Sequence, residues 1–387
     1  MTKSVVVYSN QKSGAAGADL AAQIKAGLGK RSPDALILFA SPVHDFPSLL
    51  RELSNGCKPA AMVGCSSAGE FVSGASGTGL ACAVALASDA ISFRASVARD
   101  LAADRRQAAA NLLAGFHGDA HPEYRYRSAL VLSDALAGFT DELIEALTLI
   151  SGGTYQFFGG GAGDDAQFQR TVVFCDGAVY DDAVVALEIL SHKQLGLGVR
   201  HGWAPVSSPM RVTEVAGMQL VSLNGAPAVE AFEAHAAATK QKFNRADPLP
   251  FFLHNVIGIE SGSDFKLRVP LGVNDDGSIA CAADIPDGAT VRIMGSTSMS
   301  AAEAASGAVE DALQQIGDER PSVAFFFDCV ATRLRLGDNF ALELDALQAG
   351  LGDGQFIGCN THGQIARSEE QFSGFHNCTA VVCVIPE

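Results

Sequence analysis

Two short segments carry side chains that could act as nucleophiles or as paired acids. Cys65, Ser66 and Ser67 stand together in a glycine-rich stretch, and Asp164 is followed directly by Asp165. The serines lack the Gly-x-Ser-x-Gly elbow, Cys65 has no base beside it, and adjacent residues of a strand face opposite sides of a sheet. We therefore predict that these groups hydrogen-bond inside turns and do not catalyse a reaction. A hydrolase or transferase built on a cysteine or on Asp164 stays open as an alternative.

Metal-binding motifs are absent from the sequence. It contains neither His-Glu-x-x-His nor a complete EF-hand loop, and the acidic segment 274–278 lacks the distal glutamate of such a loop. Asp276-Gly277 within it predicts a hairpin turn. The nine cysteines are an odd number without a Cys-x-x-Cys pair, so most are predicted to be small buried apolar residues.

These candidates need a framework, which the hydrophobic pattern supplies. Short apolar runs alternate with alanine-rich segments of helical period, a pattern typical of α/β layers. The predicted strands are 5–8, 35–39, 61–63, 79–87, 91–97, 128–132, 156–158, 171–175, 323–328, 354–358 and 380–385. The predicted helices are 15–28, 104–113, 141–150 and 342–351. We predict an α/β (α+β mixed) fold of mixed β-sheets with flanking helices.

Three glycine-rich segments resemble one another, which indicates internal duplication. Residues 63–70 (VGCSSAGE) align with residues 357–364 (IGCNTHGQ) and more weakly with residues 158–165 (FGGGAGDD). Each is predicted to end a strand that follows a helix. The segments are either tight turns alone or turns whose backbone amides line a pocket. On the second interpretation the ligand-binding candidates are Cys65, Ser66, Ser67, Gly69, Asn360 and Thr361.

Composition restricts the partners. The chain has 387 residues, 48% of them hydrophobic, which is enough for one large core or two ordinary ones. Its 43 acidic and 27 basic residues give a formal charge of -16, which disfavours nucleic acid and anionic membrane surfaces. No segment resembles a signal peptide or a membrane-spanning helix, so we expect a cytoplasmic protein.

A crossing between two halves is indicated near residue 200. Glycines and prolines are frequent in residues 196–211, so we predict an amino-terminal domain of residues 1–200 and a carboxy-terminal domain of residues 201–387. Residues 231–250 begin with a helical pattern, become polar and are expected to cover a cleft between the halves. Ligand sites often lie at such interfaces, and we expect the site there.

A succession of segments along nearly the whole chain resembles the FIST family. The segments are GCSSAGE (64–70), GGGAGDD (159–165), VVF (172–174), GVRHGW (198–203), VT (212–213), LNGAPA (223–228), IPDG (285–288), GCNTHGQIA (358–366) and HNCT (376–379). Each motif alone is weak, but their order is specific. The resemblance implies a FIST N domain followed by a FIST C domain.

The resemblance also implies a function. The resemblance to the FIST family implies a sensory protein of bacterial signal transduction that binds a small ligand such as an amino acid. It also brings in one branch of the family, which binds haem and senses nitric oxide. Proteins of that branch act on a partner histidine kinase or cyclic-di-GMP enzyme in trans. The expectation is a stand-alone small-ligand sensor with haem b as the favoured ligand. The alternative is an amino-acid or metabolite sensor without haem.

If a haem binds, it needs an axial ligand and an apolar pocket. His201 precedes Trp203, the only tryptophan, and His254 follows the apolar segment 250–253. His362 and His376 lie in the glycine-rich and His-Asn segments. All four are cofactor-binding candidates, with His201 the first candidate for the metal and Trp203 a candidate for ligand contact. No Cys-x-x-Cys-His is present, so the haem would be held non-covalently.

Overall fold

The same order of elements occurs three times along the chain. A computed structural model describes residues 2–262, 264–367 and 374–387. Repeat 1, residues 2–88, contains β1 (Thr2–Ser9), α1 (Ser13–Leu28), β2 (Ala35–Ala40), α2 (Phe46–Cys57), β3 (Ala61–Ser66), β4 (Glu70–Val72), β5 (Ala75–Gly77) and β6 (Ala81–Ser88).

Repeat 2, residues 91–191, has this order again. It contains β7 (Ile91–Arg99), α3 (Arg105–Leu113), β8 (Tyr126–Ser133), α4 (Thr140–Ile150), β9 (Gln156–Gly161), β10 (Val173–Cys175), β11 (Ala178–Tyr180) and β12 (Ala183–Ser191).

Repeat 3, residues 196–386, is interrupted after its first strand by the inserted sheet, residues 203–296. The strand before the interruption is β13 (Gly196–Arg200). The inserted sheet contains β14 (Trp203–Pro205), β15 (Met210–Ala216), β16 (Gln219–Leu223), β17 (Ala226–Pro227), α5 (Ala228–Thr239), α6 (Leu249–Phe252), β18 (Val256–Ser261), β19 (Asp264–Arg268), β20 (Pro270–Val273), β21 (Ile279–Cys281) and β22 (Thr290–Ser296). Repeat 3 then resumes with α7 (Ser298–Ile316), β23 (Pro321–Cys329), α8 (Val330–Leu336), α9 (Ala341–Leu351), β24 (Phe356–Thr361), β25 (Gln364–Ala366), β26 (Phe375–His376) and β27 (Ala380–Pro386).

The three repeats exchange strands. Each builds a sheet around one parallel pair, β2 with β3, β8 with β9 and β23 with β24. The strand that follows each parallel pair joins the sheet of another repeat. Thus β4 pairs with β24, β10 with β3, and β25 with β9. Each sheet is therefore completed by a neighbouring repeat, and the mixed α/β fold predicted from the sequence is confirmed.

One glycine in each parallel pair explains the repeated sequence signal. Gly64, Gly159 and Gly358 each face a carbonyl oxygen of the partner strand. A Cβ atom there would lie 2.2 Å from Leu38 O at Gly64, and 1.8 Å from Phe326 O at Gly358. At Gly159 the corresponding distance is 2.0 Å. No side chain fits at such a distance, so the three aligned segments are equivalent in space as well as in sequence.

The sheets of the three repeats are joined in a ring by the exchanged strands, and the largest hydrophobic cluster lies inside this ring. Phe325 and Phe327 of β23 point into this central cluster, together with inward residues of the other two sheets such as Val63 and Leu132. Phe326 points outward and packs under α7 and α9. The pairs α1 with α2 and α3 with α4 cover the other two sheets. Burying a phenylalanine contributes about 1.5–3 kcal/mol, so both faces of β23 stabilise the fold.

Candidate functional site

The three glycine-rich turns meet at one junction, where the parallel strands end. Ala68 N donates to Asn360 O (2.9 Å), and Asn360 N donates to Gly69 O (2.8 Å). The second turn joins through Gly163 N, which donates to Ser66 O (2.9 Å). The third turn donates to the second through His362 N. The close approach of glycine backbones thus places residues from three distant parts of the chain side by side.

The junction contains the predicted ligand-binding residues but buries them. All six are buried, namely Cys65, Ser66, Ser67, Gly69, Asn360 and Thr361. The Oγ atom of Ser66 donates to Val172 O, and the hydroxyl of Ser67 donates to the Glu70 carboxyl group. None of the six lines the cavity described below. Both side-chain amide atoms of Asn360 are buried and have no hydrogen-bond partner in the part of the chain that the structure describes.

Glu70 and Arg333 hold the first turn, and sequence reasoning missed both. Glu70 is fully buried and accepts from Leu80 N (3.0 Å) as well as from Ser67. Burial raises the pKa of Glu70 to about 8, although the Ser67 hydrogen bond opposes this shift. Arg333 Nη1 donates to Ala68 O. The two residues are far apart in sequence, so no local pattern signals their meeting.

An apolar cavity of about 180 Å³ lies beside this junction. We call it the apolar cavity. Its walls come from the ends of β8 and β23, from the loop after β9 and from the inserted sheet. Val269, Leu271 and Cys281 of the inserted sheet face Ala331 of α8 across it. The side chains at its mouth are exposed apolar residues, namely Leu136 (43%), Phe168 (43%) and Leu334 (46%).

His362 is the polar group of the apolar cavity. Its side chain is 5% exposed and its ring stacks on Phe168, with centroids 4.6 Å apart. Burial lowers the pKa of His362 to about 4, although Asp164 and Asp134 oppose the shift, so the imidazole is neutral near neutral pH. Nε2 lies 3.5 Å from Asp164 Oδ1, which is not a hydrogen bond. Among the described residues, neither ring nitrogen has a partner, and neither has Asn377 Oδ1 at the same cavity.

Asp164 positions this wall of the cavity. Its Oδ1 accepts from Gln167 N (3.1 Å) and Phe168 N (2.9 Å), and its Oδ2 accepts from Gln169 N (2.7 Å) and Arg170 N (3.0 Å). The carboxylate therefore fixes the loop that carries Phe168, and the turn role predicted for Asp164 is confirmed. Both of its oxygens are thus occupied by backbone donors.

Helix α8 has the apolar cavity on one side and a small polar cavity on the other. Ala331 and Leu334 line the apolar cavity. Arg335 lines a polar cavity of about 10 Å³, together with the buried carboxyl groups of Asp328 and Glu343. Burial raises the pKa of Asp328 to about 6, and burial together with Asp328 raises that of Glu343 well above its ordinary value. Of the two carboxyl groups, Glu343 therefore holds its proton more tightly than Asp328.

The comparisons with known proteins decide the family. The sequence model of the FIST N domain matches residues 34–226, and that of the FIST C domain matches residues 228–367. The chain belongs to the FIST family. FIST domains are sensory domains of signal transduction that bind small ligands. The apolar cavity of this FIST protein is lined from both matched regions, with Phe168 in the first and Leu271 in the second.

The other comparisons add little. A crystal structure of cyanuric acid hydrolase from A. caulinodans covers 100% of both chains at 9% identity and a TM-score of 0.35, which is too low to support an argument. No curated protein matches the chain. Within residues 2–262, 264–367 and 374–387, no helix is long and apolar enough to cross a membrane.

The four histidines predicted as haem ligands do not converge in this FIST protein. His201 Nε2 lies 3.0 Å from Asp264 Oδ1, at the polar cavity beside Trp203, whose ring stacks under Arg335 (4.9 Å). His254 lies largely exposed at the surface. The part of its ring that is desolvated and the nearby positive charge of Arg335 together lower its pKa. The ring of His376 is buried; its Nε2 is 2.9 Å from Ala366 O, and burial lowers its pKa to about 4. Of the four, His362 alone lines the apolar cavity.

A haem does not fit the apolar cavity. An engineered cavity of about 150 Å³ holds a benzene molecule, and pockets for drug-sized ligands enclose roughly 300–1,000 Å³. At about 180 Å³ the apolar cavity matches a single substituted ring and is far smaller than a porphyrin. His362 is a neutral buried imidazole with free nitrogens, so the donor is suitable but the space is not. Among the described residues, no group of three or more His, Cys, Asp or Glu side chains could hold a metal ion.

Proposed function

We propose that this FIST protein is a cytoplasmic sensory protein that binds one small, neutral and mostly apolar metabolite in the apolar cavity. The observation that carries the proposal is His362, a neutral imidazole whose two nitrogens are buried at an apolar wall and have no hydrogen-bond partner among the residues that the structure describes. A buried unsatisfied polar atom costs about 1–3 kcal/mol, so a ligand that pairs with it recovers this free energy. The residues at the site therefore select a ligand with one polar group.

The chemistry of the ligand follows from the lining. Neutral imidazole offers one donor and one acceptor, and Asn377 Oδ1 adds an acceptor. A hydroxyl, a phenol or a ring N–H satisfies this set. A free amino acid carries two opposite charges, and burying them in an apolar site without ionised partners is costly. The metabolite alternative is therefore favoured over both haem and a free amino acid.

The same geometry supports sensing without a chemical step. Ser66 and Ser67 are occupied by hydrogen bonds inside the junction, and Asp164 is occupied by four backbone donors. Burial and the neighbouring Cys65 raise the pKa of Cys359 well above its ordinary value, so its thiol is protonated and a poor nucleophile. We propose that the ligand binds reversibly and leaves unchanged.

The test uses phenol, toluene, L-phenylalanine and haemin as probes, with isothermal titration calorimetry and thermal melting of the full chain. Phenol is expected to bind and raise the melting temperature, toluene to bind more weakly and L-phenylalanine not to bind. A ligand at about 100 times its dissociation constant adds about 2.7 kcal/mol of stability. Haemin is expected to give only broad, non-saturating absorbance.

Two variants locate the binding. Ala331→Phe fills the apolar cavity and should abolish binding of phenol and toluene alike, whereas His362→Leu should weaken phenol and spare toluene. His121→Leu, at an exposed histidine, is the matched control and should behave as the wild type. Circular dichroism checks that each variant folds. Undiminished phenol binding in Ala331→Phe would refute the site, and a sharp Soret band at one haem per chain would restore haem.

Transmission of the signal to another protein is part of the proposal. The exposed apolar side chains Leu136, Phe168 and Leu334 line the cavity, so a bound ligand would change their surroundings. A partner histidine kinase or cyclic-di-GMP enzyme, which the family resemblance implies, would read that change. Co-purification of such an enzyme with and without phenol, beside Ala331→Phe, tests this step.

A further inference from the structure

A second depression lies at the opposite end of β8. Its volume is about 370 Å³, and it is lined where β8 and β9 begin, with Arg125, Arg127 and Arg367 around it. We call it the arginine pocket. Strand β8 has eight residues, so the two sites are roughly 25 Å apart at a rise of about 3.3 Å per residue. The arginine pocket shares no lining residue with the apolar cavity.

Three guanidinium groups converge here on a chain with a formal charge of -16. Arg127 pairs with Asp119 (2.7 Å), whose side chain is fully exposed. Arg125 stacks on Tyr126, with its guanidinium carbon 5.3 Å from the ring centroid. In the described part of the chain, no carboxylate lies within ion-pair distance of Arg125 or Arg367. Within residues 2–262, 264–367 and 374–387, two of the three positive charges therefore have no ion-pair partner.

The buried carboxylate beneath the pocket does not pair with these arginines. Glu188 accepts from His117 N (2.8 Å), Gly118 N (2.9 Å) and the Tyr155 hydroxyl. Its oxygens are therefore already bound by three donors. The ring of Tyr155, held in place by that bond, forms part of the pocket lining and has Arg127 6.0 Å from its centroid.

The starts of the corresponding strands in the other repeats carry ion pairs. Before β2, Arg31 pairs with Asp89 (3.1 Å) and Asp34 (3.7 Å). Before β23, Glu319 pairs with Lys193 (2.6 Å), which lies in the loop before β13. Repeat 2 instead places Arg125 and Arg127 at the start of β8, in one pocket with Arg367.

We propose that the arginine pocket binds a small organic molecule through a phosphate group. Guanidinium groups match the oxygen geometry of phosphate with two parallel hydrogen bonds each, and three of them can surround a tetrahedral dianion. The side chains of Tyr126 and Gln194 provide a polar and aromatic wall for the rest of the molecule. The volume lies within the range of pockets for small organic ligands and exceeds what a bare ion needs.

Calorimetry of the full chain at low ionic strength tests the proposal with inorganic phosphate, adenosine monophosphate, adenosine and succinate. Phosphate and adenosine monophosphate are expected to bind, the nucleotide more tightly, and both affinities should fall as NaCl is added. Adenosine and succinate should not bind. Tight binding of succinate, or of adenosine as well as its phosphate, would replace the phosphate assignment by another ligand class.

Charge-reversal variants test whether the measured heat of phosphate binding comes from the arginine pocket. Arg125→Glu and Arg367→Glu should each weaken phosphate binding by about tenfold or more. Arg51→Glu, at an exposed arginine that pairs with its neighbour Glu52, is the matched control and should bind as the wild type. Equal affinity in all three variants would overturn the proposal. Ala331→Phe should leave phosphate binding intact, so this result is separate from that of the apolar cavity.

One competing occupant is the chain itself. Glu369 and Glu370 follow Arg367 in the sequence and lie outside the described residues. If their carboxylates paired with the arginines, the wild type would bind neither phosphate probe, and Glu369→Gln with Glu370→Gln would gain binding. That pair of results would overturn the proposal. Binding to the wild type that the double substitution does not weaken supports it.

Discussion

Replacing Glu70 by glutamine should remove a large part of the pH dependence of folding. Glu70 is fully buried, and its pKa is raised in the folded chain from an ordinary value near 4.5 to about 8. The folded chain therefore holds a proton that the unfolded chain releases above about pH 4.5, so the free energy of unfolding falls as the pH rises from there to about 8 and is level above that. At about 1.4 kcal/mol per pH unit, the loss approaches about 5 kcal/mol.

The Glu70→Gln variant keeps the shape of the protonated side chain and cannot ionise. Below about pH 5 its free energy of unfolding should be close to that of the wild type, and at about pH 9 it should exceed it by several kcal/mol. Urea unfolding at a series of pH values measures the difference. Glu303→Gln, at an exposed position of α7, is the matched control and should follow the wild type throughout.

Parallel curves for wild type and Glu70→Gln would refute this reasoning. They would mean that the carboxyl group ionises at its ordinary pKa in the folded chain. The groups able to cause that are Arg333, which attracts the negative charge, and the Ser67 and Leu80 donors, which hydrogen-bond to it. Burial would then be the weaker effect at the junction.

Two further predictions concern the junction and the cavity wall. Gly358→Ala should destabilise the fold by several kcal/mol, because its Cβ would lie 1.8 Å from Phe326 O, whereas Gly272→Ala, with open space around it, should change the melting temperature little. Asp164→Asn loses the charge that holds four backbone N–H groups, so we expect the loop of Phe168 to loosen and phenol binding to weaken by about tenfold. Calorimetry measures the second effect; unchanged phenol affinity would show that the loop does not shape the cavity.

Local sequence patterns were sufficient for the junction and insufficient for the cavity. The sequence shows that residues 63–70 and 357–364 are equivalent, because the close approach of the parallel strands allows only glycine at positions 64 and 358. His362 was identified as a candidate, but its role beside Leu271 and Ala331 depends on residues far apart in the chain. Its neutrality and missing partners follow from that burial, which no pattern around His362 reveals.

The inserted sheet and α7 show two other limits. Most strands of residues 203–296 are short and exposed on one side, so their apolar residues do not stand out as runs. Helix α7 is absent from the predicted elements although its signals are local. Thr297 and Ser300 form a capping box, and Ala305, Ala308 and Ala312 recur at helical spacing on its buried face. The division near residue 200 stays a prediction.

The exchange of strands between repeats makes the order of synthesis matter. Strand β9 leaves the ribosome with its edge unpaired, and β25, which covers that edge, follows some two hundred residues later. An open strand edge invites pairing with other chains. The sheet of repeat 2 therefore stays incomplete until β25 has been made, and a fragment that ends at residue 227 should aggregate.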